Sequence, residues 1–180
     1  MEACNSEMLY TTDYIEALPE GERAELIDGK IYYMASPGRT HQQMLGYLYR
    51  KIAEYIDSRH GSCEVNLAPF AVYLNNDNRT YVEPDINVVC DKEKLDDKGC
   101  HGAPDWVIEI VSPGSKDMDY LRKLIKYNSA GVREYWIVDT SRACVAVYNF
   151  ENETKADYAF GEDVPAGIYD DLCIKVEQIL

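Results

Sequence analysis

The run Trp106-Val107-Ile108-Glu109-Ile110-Val111 is apolar and β-branched or aromatic at every position but one, and it reads as a strand. Its exception constrains the fold most. A carboxylate between Ile108 and Ile110 is costly to strip of water unless something pairs with it. A second acid, Asp85, stands at the head of another strand-like run, Pro84-Asp85-Ile86 onward to Cys90. The stretch from Tyr81 to Tyr127 holds both acids, and whatever partners Glu109 has to be found around it.

The rest of the chain gives those runs a setting. Thr12 is placed as N-cap of a short helix, DYIEAL, stopped by Pro19 and Gly21. Asp28-Gly29 between apolar-rich runs is a two-residue hairpin signal, because a type I′ turn needs positive φ at both central positions. From Thr40 the spacing of Met44, Leu45, Leu48, Ile52, Tyr55 and Ile56 predicts an amphipathic helix that ends at His60-Gly61. Strands are expected over Cys63 to Leu74, Tyr81 to Cys90 and Trp106 to Val111, and the polar segment 91–105 is expected to be a surface loop. Ser112-Pro113-Gly114 ends the third strand, and Ser115 would cap a helix reaching about Ser129 before Gly131. Glu134 to Asp139 and Ala143 to Phe150 make two further strands. The acidic remainder is irregular, with weaker strand signals at 157–160 and at Leu172 to Val176. No repeat or linker divides the 180 residues, so one domain over 1–180 is expected, an α/β fold with a mixed sheet flanked by helices.

Charge and cysteine content narrow the function classes. The net charge of -14 argues against a general polyanion binder, since phosphate contacts draw on clustered Lys and Arg. Its distribution is uneven: residues 1–28 carry a net -7 and 151–180 a net -6, whereas 116–133 is locally +3. The six cysteines (Cys4, Cys63, Cys90, Cys100, Cys144, Cys173) show no C-x-x-C pairing, and several sit in apolar runs. Reduced core thiols are expected, with neither a zinc site nor a disulfide framework. The opening MEACNSEMLY has no basic n-region and no apolar stretch of signal length, so a cytoplasmic protein without a membrane span is expected.

Period-2 geometry puts Val107, Glu109 and Val111 on one face of their strand, and Asp85, Asn87 and Val89 on one face of the preceding one. If the two strands are neighbours, Asp85 and Glu109 converge. Paired carboxylates of this kind hold Mg²⁺ or Mn²⁺, with water completing the octahedron. Such an ion generates a hydroxide-like nucleophile and neutralises charge that develops on a phosphate. Asp119, Lys123 and Tyr127 lie at i, i+4 and i+8 on the following helix, away from the apolar face of Met118, Leu121, Leu124 and Ile125. Lys123 is therefore the candidate for orienting the water or steadying the transition state.

Several motifs recur in order: Pro84-Asp85-Ile86; Gly102-Ala103-Pro104-Asp105-Trp106 through Glu109-Ile110-Val111-Ser112-Pro113; Asp119, Lys123 and Tyr127; and Gly131-Val132-Arg133-Glu134-Tyr135-Trp136-Ile137-Val138-Asp139. With the hairpin Glu25-Leu26-Ile27-Asp28-Gly29 and the helix opening at His41, they span nearly the whole chain. In these features the sequence resembles the Uma-type restriction endonuclease family of the PD-(D/E)XK nuclease superfamily. The resemblance implies a restriction endonuclease-like fold with an αβββαβ core, an N-terminal hairpin and extra C-terminal strands. It also implies Mg²⁺-dependent (or Mn²⁺-dependent) endonucleolytic hydrolysis of DNA, with no organic cofactor. Carried over, Asp85 is the PD aspartate, Glu109 the acid of the (D/E)XK element, and the main-chain carbonyl of Ile110 a third metal ligand. Val111 stands where the superfamily has its lysine, and Lys123 supplies that group from the next helix. Glu25 and His41 match further family positions that reach the metal or its water.

Each residue also has a plainer reading. Asp85 could cap its strand through backbone hydrogen bonds. Glu109 could pair with Arg122 or Arg133, and Lys123 with Asp119. Glu25 could be a surface charge of the hairpin and His41 an ordinary first-turn residue, while Glu83, on the same face as Asp85, could serve a second ion but is expected to face solvent. The alternative at the level of function is a non-catalytic interaction or DNA-associated module that keeps the fold, motivated by Val111 and by the charge. A homodimer whose basic 116–133 segments line one groove is the expected route by which an acidic protein meets DNA.

Overall fold

The computed structural model describes residues 8–75, 77–111 and 118–177. After a short helix α1 (Thr12–Glu16) come the hairpin β1 (Ala24–Ile27) and β2 (Lys30–Tyr33) and the long helix α2 (Arg39–Ser58). Strands β3 (Glu64–Leu67), β4 (Val72–Tyr73), β5 (Tyr81–Val82), β6 (Ile86–Val89), β7 (Leu95–Asp96), β8 (Gly99–His101) and β9 (Trp106–Val111) follow. A π-helical turn, Met118–Lys123, leads into α3 (Leu124–Ala130). The chain closes with β10 (Glu134–Asp139), β11 (Cys144–Asn149), β12 (Thr154–Ala159), β13 (Asp163–Pro165) and β14 (Cys173–Lys175).

The strands form a mixed six-stranded sheet of order β12-β11-β10-β9-β6-β3, a second six-stranded sheet of order β2-β1-β5-β4-β8-β7, and the pair β13-β14. In the first sheet β9 runs parallel to β10 and antiparallel to β6. Alternation sends Trp106, Ile108 and Ile110 to one face, where Met44, Leu48 and Ile52 of α2 and Val164 and Ile174 of the C-terminal pair pack on them. Each fully buried Leu or Ile in such a layer contributes about 1.5–3 kcal/mol. Val107 and Val111 go to the other face, against Ile27, Val72 and Val82 of the second sheet and Tyr127 of α3. The sheet is thus covered on both sides, and Glu109 lies inside the second layer.

Several local readings hold. Asp28 and Gly29 have φ of 52° and 78°, as a type I′ turn requires, and Gly131 closes α3 in the left-handed region at 94°. Others need correction. Cys63 to Leu74 is two strands, broken around Ala68-Pro69 because proline has no N–H for the ladder. Tyr81 to Cys90 is likewise divided around Pro84, which frees Asp85 from the strand proper. The expected loop 91–105 contains β7 and β8, and β8 joins β4 in parallel through Val72–Cys100 and Tyr73–His101. At the N-terminus Thr11 takes the cap position of α1, one residue earlier than expected, and makes no side-chain cap bond. The acidic C-terminal stretch is more regular than expected, with β12 paired along its whole length to β11.

Cys63 and Cys90 are joined as a disulfide, contrary to the expectation of reduced thiols. The register Glu64–Val89 explains it, since the next positions outward on the antiparallel pair β3/β6 are 63 and 90. Cys100 and Cys173 are free thiols. The expected Ser112-Pro113-Gly114 stop, the Ser115 cap, Lys116 and the Asp119 side chain lie outside the described residues. Among the described residues, no helix is long and apolar enough to cross a membrane.

Candidate active site

Strands β6 and β9 set the geometry. Their antiparallel register pairs Ile86 with Ile108, so Asp85 and Glu109 stand at the next positions along the same ladder. Each acid engages the other's strand. The amide of Ile110 donates to Asp85 Oδ2 at 2.7 Å, and the amide of Asp85 lies 3.5 Å from Glu109 Oε2. The carboxylates therefore converge at one end of the β6/β9 pair. Asp85 does receive a backbone N–H, as the plainer reading supposed, and it sits beside Glu109 at the same time.

The partner of Glu109 is neither arginine considered. Arg122 bonds the Tyr32 hydroxyl, and Arg133 pairs with Asp105 and Glu151. Instead Lys123 Nζ lies 2.9 Å from Glu109 Oε1, and the Tyr127 hydroxyl donates to that same oxygen at 2.8 Å. One helical turn separates Lys123 from Tyr127, so a single face of the helix delivers both donors. The side chains of Lys123 and Glu109 are only 5% and 6% exposed. At that burial the pair is strongly screened from solvent, and loss of either member would leave an uncompensated charge.

Glu25 belongs to the same cluster and is no surface charge. On β1 it is buried, and its Oε2 lies 2.9 Å from Lys123 Nζ. Its other oxygen accepts the amide of Glu83 at 3.0 Å. Lys123 thus bridges two carboxylates from two different sheets. His41, in the first turn of α2, places Nε2 3.1 Å from Asp85 Oδ2, while its Nδ1 is buried with no hydrogen-bond partner among the described residues. Glu83, expected in solvent, is also buried. It takes Arg23 at 2.5 Å and the Tyr81 hydroxyl at 2.7 Å, which closes the rim of the site next to Glu25. Neither Tyr127 nor the Arg23–Glu83 pair stood among the expected site residues. The i+4 spacing of Tyr127 from Lys123 was a signal for the first; the pair has no signature, because 60 residues separate its members.

These residues suit a hard divalent cation. Asp85, Glu109 and Glu25 against Lys123 leave a formal excess of two negative charges, and the oxygen donors match the preference of Mg²⁺ or Mn²⁺. Among the described residues no group of three or more His, Cys, Asp or Glu side chains forms a ready cage.

Residues 11–167 match the model of the Uma2 family, described as "Putative restriction endonuclease". The chain belongs to that family. Uma2 membership agrees with the fold, a restriction endonuclease-like mixed α/β arrangement. The crystal structure of a protein described as a "putative nuclease belonging to DUF820" from Anabaena variabilis superposes with a TM-score of 0.72 over 88% of this chain and 89% of that one, at 22% identity. An uncharacterized protein of Synechocystis sp. is 24% identical over 129 residues, 71% of this chain. The match spans 66% of that relative's length.

Proposed function

We propose that this Uma2 chain is a metal-dependent endodeoxyribonuclease that hydrolyses DNA phosphodiester bonds at the Asp85–Glu109–Lys123 cluster. The observation that carries this reading is the meeting of Asp85 and Glu109 on neighbouring strands beneath a buried ammonium 2.9 Å from Glu109. Asp85, Glu109 and the main-chain carbonyl of Ile110 would hold Mg²⁺ or Mn²⁺. Such an ion supplies a more acidic water and neutralises charge on the phosphate.

The chain's own residues do the remaining work. Lys123 donates to the attacking water or to a phosphoryl oxygen and replaces the lysine absent at Val111. Glu25 and Tyr127 hold Lys123 and Glu109 in register, so the amine is positioned before substrate arrives. His41 orients Asp85; with its proton on Nε2 toward the carboxylate, Nδ1 keeps a lone pair facing inward. Water attacks phosphorus in line, the bond to O3′ breaks, and a 5′ phosphate remains. The same reading carries a cytoplasmic setting and a pair of chains acting on two strands, for which sedimentation of the native protein is the check.

Asp85→Asn keeps size and replaces the charge, so it is expected to abolish Mg²⁺-dependent nicking of plasmid DNA while leaving the melting temperature nearly unchanged. Lys123→Met is expected to abolish nicking too, with a stability loss of about 3–5 kcal/mol, because Glu25 and Glu109 lose the cation between them. Wild-type protein that binds neither Mg²⁺ nor Mn²⁺ at millimolar concentration by calorimetry would favour a non-catalytic DNA-associated module.

A further inference from the structure

One helical turn beyond Lys123, a cleft of about 430 Å³ opens between the β1–β2 hairpin tip and the helix, bordered by Asp28, Lys30, Tyr32, Arg122, Ile125 and Lys126. Its charge is opposite to that of the molecule. Lys30, Arg122 and Lys126 against Asp28 give a formal +2 in a chain of net -14. The basic groups are also held in place. Arg122 bonds the Tyr32 hydroxyl and lies over that ring, 5.3 Å from its centroid. Lys126 Nζ sits 2.5 Å from Asp28 Oδ1, and the Asp28 side chain is 61% exposed. An ion pair so open to water is weak and exchanges readily for a stronger anion.

Position ties this cleft to the candidate site. Glu25 and Ile27 share a face of β1, and Lys123 and Lys126 are three residues apart on the helix, about 4.5 Å along its axis. One strand of DNA advances about 3.4 Å per phosphate. A strand whose scissile phosphate lies at Lys123 would present a phosphate one or two nucleotides away to the cleft.

We propose that this cleft is a phosphate-binding subsite for the DNA strand, in which Arg122 and Lys126 grip a backbone phosphate beside the scissile one and Asp28 holds Lys126 until that phosphate displaces it. The identity of the ligand rests on the nuclease reading; the cleft, its charge and its preset cations do not. Asp28 is the unusual part, because it makes a gain of affinity available by removing one oxygen's charge. At φ of 52° in a turn before Gly29, asparagine is accommodated as well as aspartate.

The test measures binding of a fluorescent duplex oligonucleotide in EDTA, so that cleavage plays no part. Arg122→Ala/Lys126→Ala is expected to weaken binding about tenfold or more at low salt and to flatten the slope of log K against log salt by roughly 2. Asp28→Asn is expected to tighten binding several-fold and steepen the slope by roughly 1. Lys98→Ala, in the β7–β8 turn at the opposite edge of the same sheet, is expected to bind like wild type. Melting curves keep loss of fold apart from loss of contact, and Asp28→Asn, which gains, cannot be explained by unfolding. Unchanged affinity and slope in both Arg122→Ala/Lys126→Ala and Asp28→Asn, or no binding by wild type, would overturn the subsite. A change in sedimentation in place of a change in DNA binding would overturn it too and make this face a contact between copies, with the exposed Leu121 and Ile125 at its centre. Protein that shows the expected binding shifts yet never cleaves with Mg²⁺ would retain the subsite and defeat the catalytic reading alone.

Discussion

At the scale of single residues, the fold buries a second strand acid under quite different terms from Glu109. Glu134 on β10 faces the α2 side of the sheet, fully buried, with no ammonium within ion-pair distance among the described residues. The Trp136 indole N–H donates to it, and the amides of Gly167 and Ile168 approach it, but burial dominates and pushes its pKa up to about 7. The folded state therefore holds this proton more tightly than the unfolded chain does, whose glutamate titrates near 4.5. Glu134 favours the fold fully below that value, and its contribution is lost as pH rises to about 7, on the order of 3 kcal/mol in all. Glu134→Gln is expected to flatten the fall in melting temperature between pH 5 and 7 and to leave a variant more stable than wild type at pH 8, measured by thermal melts across pH. Glu109, by contrast, has the Lys123 ammonium 2.9 Å and the Tyr127 hydroxyl 2.8 Å from one of its oxygens.

Among elements, those with a strong local period were legible. The α2 helix follows from its apolar spacing, the hairpin from Asp28-Gly29, and β9 from six residues of one character. The convergence of Asp85 and Glu109 follows from the same alternation once β6 and β9 are neighbours. What remained hidden depends on partners far along the chain. Leu95–Asp96 and Gly99–His101 are too short to announce themselves, and they become strands only because β4 offers an edge. Gly99 shows how close that fit is: at φ of 146°, a Cβ there would lie 2.3 Å from the carbonyl oxygen of Ala71. Gly99→Ala is expected to cost about 2–3 kcal/mol, read as a lower denaturant midpoint, with the loss confined to the β4–β8 edge in hydrogen exchange. Glu25 was singled out by its family position, but its contact was hidden, because nothing local says that β1 would bring it to an ammonium on the turn leading into α3.

For the molecule as a whole, the Cys63–Cys90 bridge joins the edge strand β3 to the strand that follows Asp85. It closes a loop with a sequence separation of 27, for which the chain-entropy argument gives up to about 3.5 kcal/mol. Reduction is expected to lower the melting temperature by several degrees, and Cys63→Ser/Cys90→Ser to melt at the reduced value with or without dithiothreitol. An unchanged melt on reduction would show that the two sulfurs are not linked in solution.

The cluster is assembled from independent parts: its carboxylates ride on two sheets and its amine on a helix. In a nuclease whose lysine followed its acid on the same strand, the two would always travel together. Here a small rotation of one helix would withdraw the ammonium while the carboxylates stayed where they were. On the proposed reading, an inhibitor or partner that seized that helix would silence hydrolysis without dismantling the pair of acids proposed to hold the ion.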